Sequence, residues 1–298
     1  MTSPETSANA RLLGSAVSAY DSASHSGSHS GARAHVERSL GGRVEPLAEE
    51  FLLQAAQASC PAERIRLASR GLSSRAALDA DTQALLLHQL HLGHFEVREF
   101  TRAAEVAEQQ VATGAMLEVA HHDAARSKRA LGQVGESVAH LRLAARAAPP
   151  HRQAFHHWTL GSVLFVEGRL ADAAASLARA ARWGTADKPL YEAHLALALH
   201  AAGSGPIPQG AAAQGAALRE LGALADALAG SACRKGYGRF VLGLLAREVG
   251  SEREAAAHLR AFVRRTRGAR PVAAIALEPE VAYAERALAE LSRAPAPT

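Results

Sequence analysis

Aromatic residues make up only 4% of this 298-residue chain, and its thiols are limited to two cysteines. Cys60 and Cys233 lie far apart and form no Cys-x-x-Cys, which excludes a disulfide framework and a cysteine-based structural zinc site. No stretch approaches twenty consecutive apolar residues, and the start, "MTSPETSANARLLGSAVSAY", has no basic segment leading into an apolar one. These absences predict a soluble, cytoplasmic chain with no membrane insertion. Alternating β-branched patterns are missing too, so no strands are expected. There is no Gly-x-Ser-x-Gly, phosphate-binding loop, His-Glu-x-x-His or dinucleotide fingerprint. The expectation is therefore a protein that is not an enzyme and needs no cofactor.

What is present is alanine and leucine. Hydrophobic residues form 48% of the chain, and because they are mostly these two, helices are favoured that can approach closely. The formal charge of +4 and the pI near 9.4 come from arginine, with lysine nearly absent. The arginines are scattered, and the densest group is "HLRAFVRRTRGAR" with Arg260, Arg264, Arg265, Arg267 and Arg270. Arginines near a helix C-terminus meet the helix dipole favourably; phosphate, nucleic acid or an acidic surface would use them differently.

Residues 1–44, rich in Ser, Gly and His, lack a sustained period and read as a disordered arm; 294–298 read as a disordered Pro/Ala tail. His25 and His29 in the arm could hold a metal only loosely. Between these ends, 45–293 reads as one helical repeat domain. Pairs are predicted at about 46–58 with 61–73, 81–95 with 99–113, 117–131 with 135–148, 153–167 with 171–183, 189–202 with 209–229, and 236–249 with 253–266. A last helix begins after Pro279, its Val281, Ala284, Leu288 and Leu291 sealing the final pair while its charged face meets water.

Three stretches repeat one another: "GQVGESVAHLRLAARAAP" from Gly132, "GRLADAAASLARAARWGT" from Gly168 and "GSEREAAAHLRAFVRRTR" from Gly250. Ahead of the last two stand "LGSVLFVEG" and "LGLLAREVG", giving Leu-Gly, six residues, Gly, then Ala five residues on. Over Leu85 to Arg267 this pattern resembles the tetratricopeptide repeat (TPR), a helix–turn–helix unit of 34 residues. The best matches are Leu160, Gly161, Gly168, Ala173 and Ala180, then Leu242, Gly243, Gly250 and Ala255. The turn spacings are 36, 35 and 47 residues from Gly132 through Gly168 and Gly203 to Gly250, the last interval holding an expanded turn at about 203–209.

The resemblance implies an all-α, right-handed superhelical solenoid of stacked antiparallel helix pairs with a C-terminal capping helix. It further implies a concave groove lined by the first helix of each pair. At the groove positions stand His122, Arg126 and Arg129, then Phe155, Trp158, Ser162 and Phe165, then Leu190, Ala193, Leu197 and His200, then Tyr237, Phe240, Leu244 and Arg247. Aromatic and arginine side chains are the usual anchors of protein interfaces. The candidate partner-binding residues are accordingly His122, Arg126, Arg129, Phe155, Trp158, Phe165, His200, Tyr237 and Phe240. The lysine and asparagine clamp with which several members hold a peptide's terminal carboxylate is missing. The expected partner is a peptide or helix of another protein that bears apolar and acidic residues; the alternative is a regulator binding an anionic ligand or nucleic acid through its arginines. No metal site is assigned, although His88 and His91 in "HQLHLGH" share a helix face and would need a ligand from a neighbouring helix.

Overall fold

The computed structural model describes residues 47–74, 78–203 and 211–293, the side chains of 211–214 excepted. The arm with His25 and His29, the tail and the expanded turn beyond Gly203 lie outside the described residues.

Every regular element among the described residues is helical. In chain order they are α1 (Ala48–Gln57), α2 (Pro61–Leu72), α3 (Ala80–Glu96), α4 (Phe100–Ala112), α5 (Leu117–Ala130), α6 (Val134–Ala147) and α7 (Pro150–Val166). There follow α8 (Leu170–Trp183), α9 (Lys188–Ala201), α10 (Ala211–Gly230), a 3-10 turn at Ala232–Arg234, α11 (Tyr237–Glu248), α12 (Glu252–Arg267), α13 (Pro271–Ala276) and α14 (Glu278–Arg293). Neighbours in sequence pack on one another from α1 to α12, in the repeat-like manner expected. No helix among the described residues is long and apolar enough to cross a membrane.

Local chemistry sets the helix ends. Asp79 caps α3, its carboxylate accepting from the Thr82 amide at 2.9 Å. Pro150 opens α7 about three residues earlier than the sequence pattern suggests, because a first-turn proline has no amide to leave unpaired. The turns inside the pairs share one hydrogen-bond arrangement. Gly168 N donates to Phe165 O and Arg169 N to Leu164 O, and the same two bonds recur at Gly132 and Gly250. Gly168 sits at φ +74°, which a side chain would strain.

Pairs meet closely where the first helix carries glycine. A Cβ on Gly161 would stand 2.6 Å from Leu177 Cγ, and one on Gly243 2.6 Å from Leu259 Cγ. The main core runs from α5 to α14 through Leu164, Leu177, Leu197, Phe240, Leu259 and Phe262.

Two features depart from the sequence expectation. The short helix α13 stands where no helix is expected, and its Ile275 packs with Phe95 and Ala103 of the α3/α4 pair. The final helix does pack against α12, yet its charged face does not simply meet water. Glu280 is only 2% exposed, because α13 and α14 reach back over α3, α5 and α7.

Candidate functional site

The first helices of four successive pairs place a connected row of rings. His122 on α5 stacks against Phe155 on α7 (centroids 5.9 Å apart), Phe155 leans on Trp158 (6.2 Å), and Trp158 meets Tyr237 of α11 edge-on (4.9 Å). Tyr237 in turn contacts Phe240 (5.2 Å). Phe165 joins through His194 (5.1 Å) and Tyr283 (5.9 Å). Seven residues are two turns of helix, so Trp158 and Phe165 fall on one stripe of α7.

The row divides by exposure. Phe155, Trp158 and Tyr237 are half-buried, whereas Phe165 and Phe240 are core side chains that α14 helps to cover. Neither of those two offers an accessible ring.

The arginines of the row are engaged within the chain. Arg126 is buried, 3.5 Å from the Asp123 carboxylate and with its guanidinium 5.6 Å above the Phe95 ring. Arg129 donates to both oxygens of Glu280, at 2.9 and 3.2 Å, and lies 3.8 Å from Glu167. His200 is exposed and apart from the row, 3.5 Å from Glu248. Arg126 and Arg129, expected among the partner-binding residues of the groove, are thus committed internally: buried guanidinium groups need carboxylates beside them.

Several polar atoms in and beneath the row are buried without a hydrogen-bond partner among the described residues: Trp158 Nε1, the Tyr237 hydroxyl, and both ring nitrogens of His156 and of His194. Burial holds the imidazoles of His156 and His194 at pKa values of about 3, the nearby Arg152 adding to the effect at His156. Burial first, then Arg126 and His156, keep His122 well below the ordinary histidine range. The Tyr237 hydroxyl is pushed up by burial and by the Glu280 carboxylate. At neutral pH the imidazoles of the row are therefore uncharged, and the half-buried rings of Phe155, Trp158 and Tyr237 form an aromatic surface with unused donors buried beside it. Such a surface suits an apolar side chain beside a carbonyl or carboxylate oxygen.

A second polar group lies between α3 and α5. His88, His91 and Asp123 are the one set among the described residues whose metal-ligating atoms gather within 4.8 Å. Asp123 is the ligand from a neighbouring helix that the two histidines lack in sequence. The geometry is nonetheless that of an ion cluster. His88 Nδ1 and Asp123 Oδ2 are 2.5 Å apart, a hydrogen bond, where two donors on one tetrahedral zinc ion stand about 3.3 Å apart. Arg126 crowds the other Asp123 oxygen, and the His91 Nε2 is taken by Ser127 at 3.0 Å. Burial alone would raise the Asp123 carboxyl, but the His91 and His88 imidazoles and the Arg126 guanidinium beside it hold it below the usual carboxylate range, while burial keeps the His91 ring itself at about 3. His94 points elsewhere, to Glu99 at 2.7 Å.

Sequence reasoning missed Asp123, His194, Glu280 and Tyr283. The signal for Glu280 was present: four glutamates in the C-terminal helix of an arginine-rich chain. The exposed basic group at Arg260, Arg264, Arg265, Arg267 and Arg270 also has an internal use, since Arg267 bonds Glu285 at 2.5 Å.

No protein-family model matches the chain, and no curated protein matches it.

Proposed function

We propose that the chain is a protein-interaction adaptor, a TPR-like right-handed superhelix that binds a peptide or helical segment of another protein on the face formed by the first helices of its pairs. The observation that carries this reading is Trp158. Its half-buried ring is set among Phe155, Tyr191 and Tyr237, and its indole N–H has no acceptor among the described residues. A rigid aromatic platform with one unused donor is what an interface anchor requires. The role is binding rather than catalysis, in the cytoplasm. Repeated glycine turns and the interlocking of Gly161 with Leu177 support the superhelix.

The test is Trp158→Ala, assayed by capture of a partner from native lysate and by circular dichroism. Truncating an anchor costs about 2 kcal/mol or more, roughly thirtyfold in affinity. Capture should be lost while helicity and the melting midpoint stay near the parent's. If capture survives that change and disappears when Arg264 and Arg265 are neutralised, the adaptor reading fails and an anionic ligand on the arginine surface replaces it.

A further inference from the structure

The stretch "EPEVAYAERALAELSR" forms α14, and each of its four glutamates meets an arginine from a different part of the chain. Glu278 pairs with Arg98 in the turn after α3, and Glu280 with Arg129 of α5. Glu285 pairs with Arg267 at the end of α12, and Glu290 with Arg247 of α11 at 3.4 Å. Between them Tyr283 sets its ring 5.9 Å from Phe165 of α7 and 5.8 Å from Phe240 of α11. Glu280 and Tyr283, three residues apart on one helix face, thus present a carboxylate and an aromatic ring to the face of the first helices.

The hold is weaker than its reach suggests. Three of the four ion pairs are exposed to water, where such pairs are weak and screened by salt. The fully buried apolar side chains of α14 are small, Val281, Ala284 and Ala287, whereas α12 buries Leu259, Phe262 and Val263. Arg98 holds Glu278 from a left-handed backbone at φ 62°, in a turn whose counterparts carry glycine.

The cradle under Glu280 is also better equipped than Glu280 uses. Arg129, with its side chain only 9% exposed, reaches Glu280 through Nη1 alone. Its Nη2 and Nε are buried without a hydrogen bond among the described residues. A carboxylate that engaged the guanidinium side-on, through two nitrogens, would bind more strongly than the contact present.

We propose that α14 is a displaceable latch, and that the face it covers docks an amphipathic helix of a partner protein carrying a carboxylate and an aromatic ring three residues apart. This rests on reading the first-helix face as a docking surface. The incoming carboxylate takes Arg129 Nη2 and Nε, and its ring replaces Tyr283 between Phe165 and Phe240. α14 is then an intramolecular competitor that keeps the apolar face covered until such a helix arrives.

The probe is a fluorescein-labelled peptide of residues 278–293, and the assay is anisotropy with the full chain. The variant Glu278→Gln/Glu280→Gln/Glu285→Gln/Glu290→Gln should bind the peptide at least tenfold more tightly than the parent, and less tightly as salt is raised. Changing Glu280→Gln and Tyr283→Ala in the peptide should weaken binding tenfold or more. A variant that keeps the parent's circular dichroism and melts cooperatively yet does not bind overturns the proposal. Hydrogen exchange on the unaltered chain decides the matter should the variant fail to fold. The α14 amides should exchange at least tenfold faster than those of α7 and α11, and faster still at high salt; exchange only in concert with α7 and α11 overturns the latch. A concentration-dependent dimer in which α14 stays protected makes a second copy the occupant and also overturns it. Partner capture by the Trp158→Ala chain reads the adaptor proposal and peptide anisotropy with the glutamine variant reads the latch, so failure of the one and failure of the other give different results.

Discussion

Acid should unfold this protein early, and His194 shows why. Its ring is fully buried between Phe165 and Tyr237, and neither nitrogen has a hydrogen-bond partner among the described residues. Burial lowers its pKa from 6.5 to about 3, and His156 behaves alike. In the unfolded chain both rings take up a proton as the pH falls through 6.5; in the folded chain they do not until about pH 3. Below pH 6.5 the unfolded state binds more protons, so stability falls with falling pH, by about 1.4 kcal/mol per unit for each ring. At pH 5 the loss is about 2 kcal/mol per ring and about 4 kcal/mol for the two, against a typical total of about 5–15 kcal/mol. Ordinary carboxylates are still ionised there, so the histidines dominate this window. Urea unfolding followed by circular dichroism at pH 7.5 and pH 5 measures the difference. His194→Leu removes one proton acceptor and one buried polar group, so at pH 7.5 it should be no less stable than the parent. Its loss between the two pH values should be smaller than the parent's by about 2 kcal/mol, the other buried histidines contributing equally in both chains. If the variant loses as much as the parent, His194 is not held neutral by burial and the reasoning is wrong.

Gly161→Ala should destabilise by about 1–3 kcal/mol, because the added Cβ would stand 2.6 Å from Leu177 Cγ and 3.2 Å from the Leu177 backbone nitrogen. A melting midpoint equal to the parent's would show that the two helices part easily. Arg98→Gly should relieve a left-handed strain of about 1–2 kcal/mol and lose an exposed ion pair worth about 0–1 kcal/mol. The variant should therefore melt no lower than the parent while its α14 amides exchange faster; a lower melting midpoint would contradict that balance.

Much of the helical framework is legible in the sequence because its punctuation is local. Prolines open α2 and α7, and Gly132, Gly168 and Gly250 close the first helices of three pairs. The contacts that govern the candidate site are not local. Arg129 and Glu280 are 151 residues apart, and no period or motif links them. For the same reason Phe165 and Phe240 read as surface anchors in sequence: a position that faces outward from its own pair is exposed only if nothing else crosses it. The helix α13 is six residues long, too short to display a helical period, and is fixed instead by Ile275 against Phe95 and Ala103. Trp158 differs because its neighbours, Phe155, Tyr191 and Tyr237, belong to the repeated pairs themselves.

The α3/α4 pair shows what a departure from the repeat can mean. Its turn makes the same two hydrogen bonds as the others, Arg98 N to Phe95 O and Glu99 N to His94 O, and Arg98 precedes Gly132 by 34 residues. Counting from the turn, the residue seven before and the residue nine after face each other: Gly161 with Leu177, and Gly243 with Leu259. The corresponding residues are Ala125 and Leu141 in the α5/α6 pair, and His91 and Ala107 in the α3/α4 pair, all buried. Volume is conserved across the positions while the bulk moves from the second helix to the first. The histidine so admitted bonds Ser127 and lies beside Asp123 one pair further on, and the arginine in place of the turn glycine bonds Glu278 in α14. Each break in the pattern thus carries a contact to another part of the chain that glycine could not make. Positions that violate a local rule are where tertiary or functional demands outweigh it, so a non-glycine turn residue within a repeat is itself a pointer to a long-range partner.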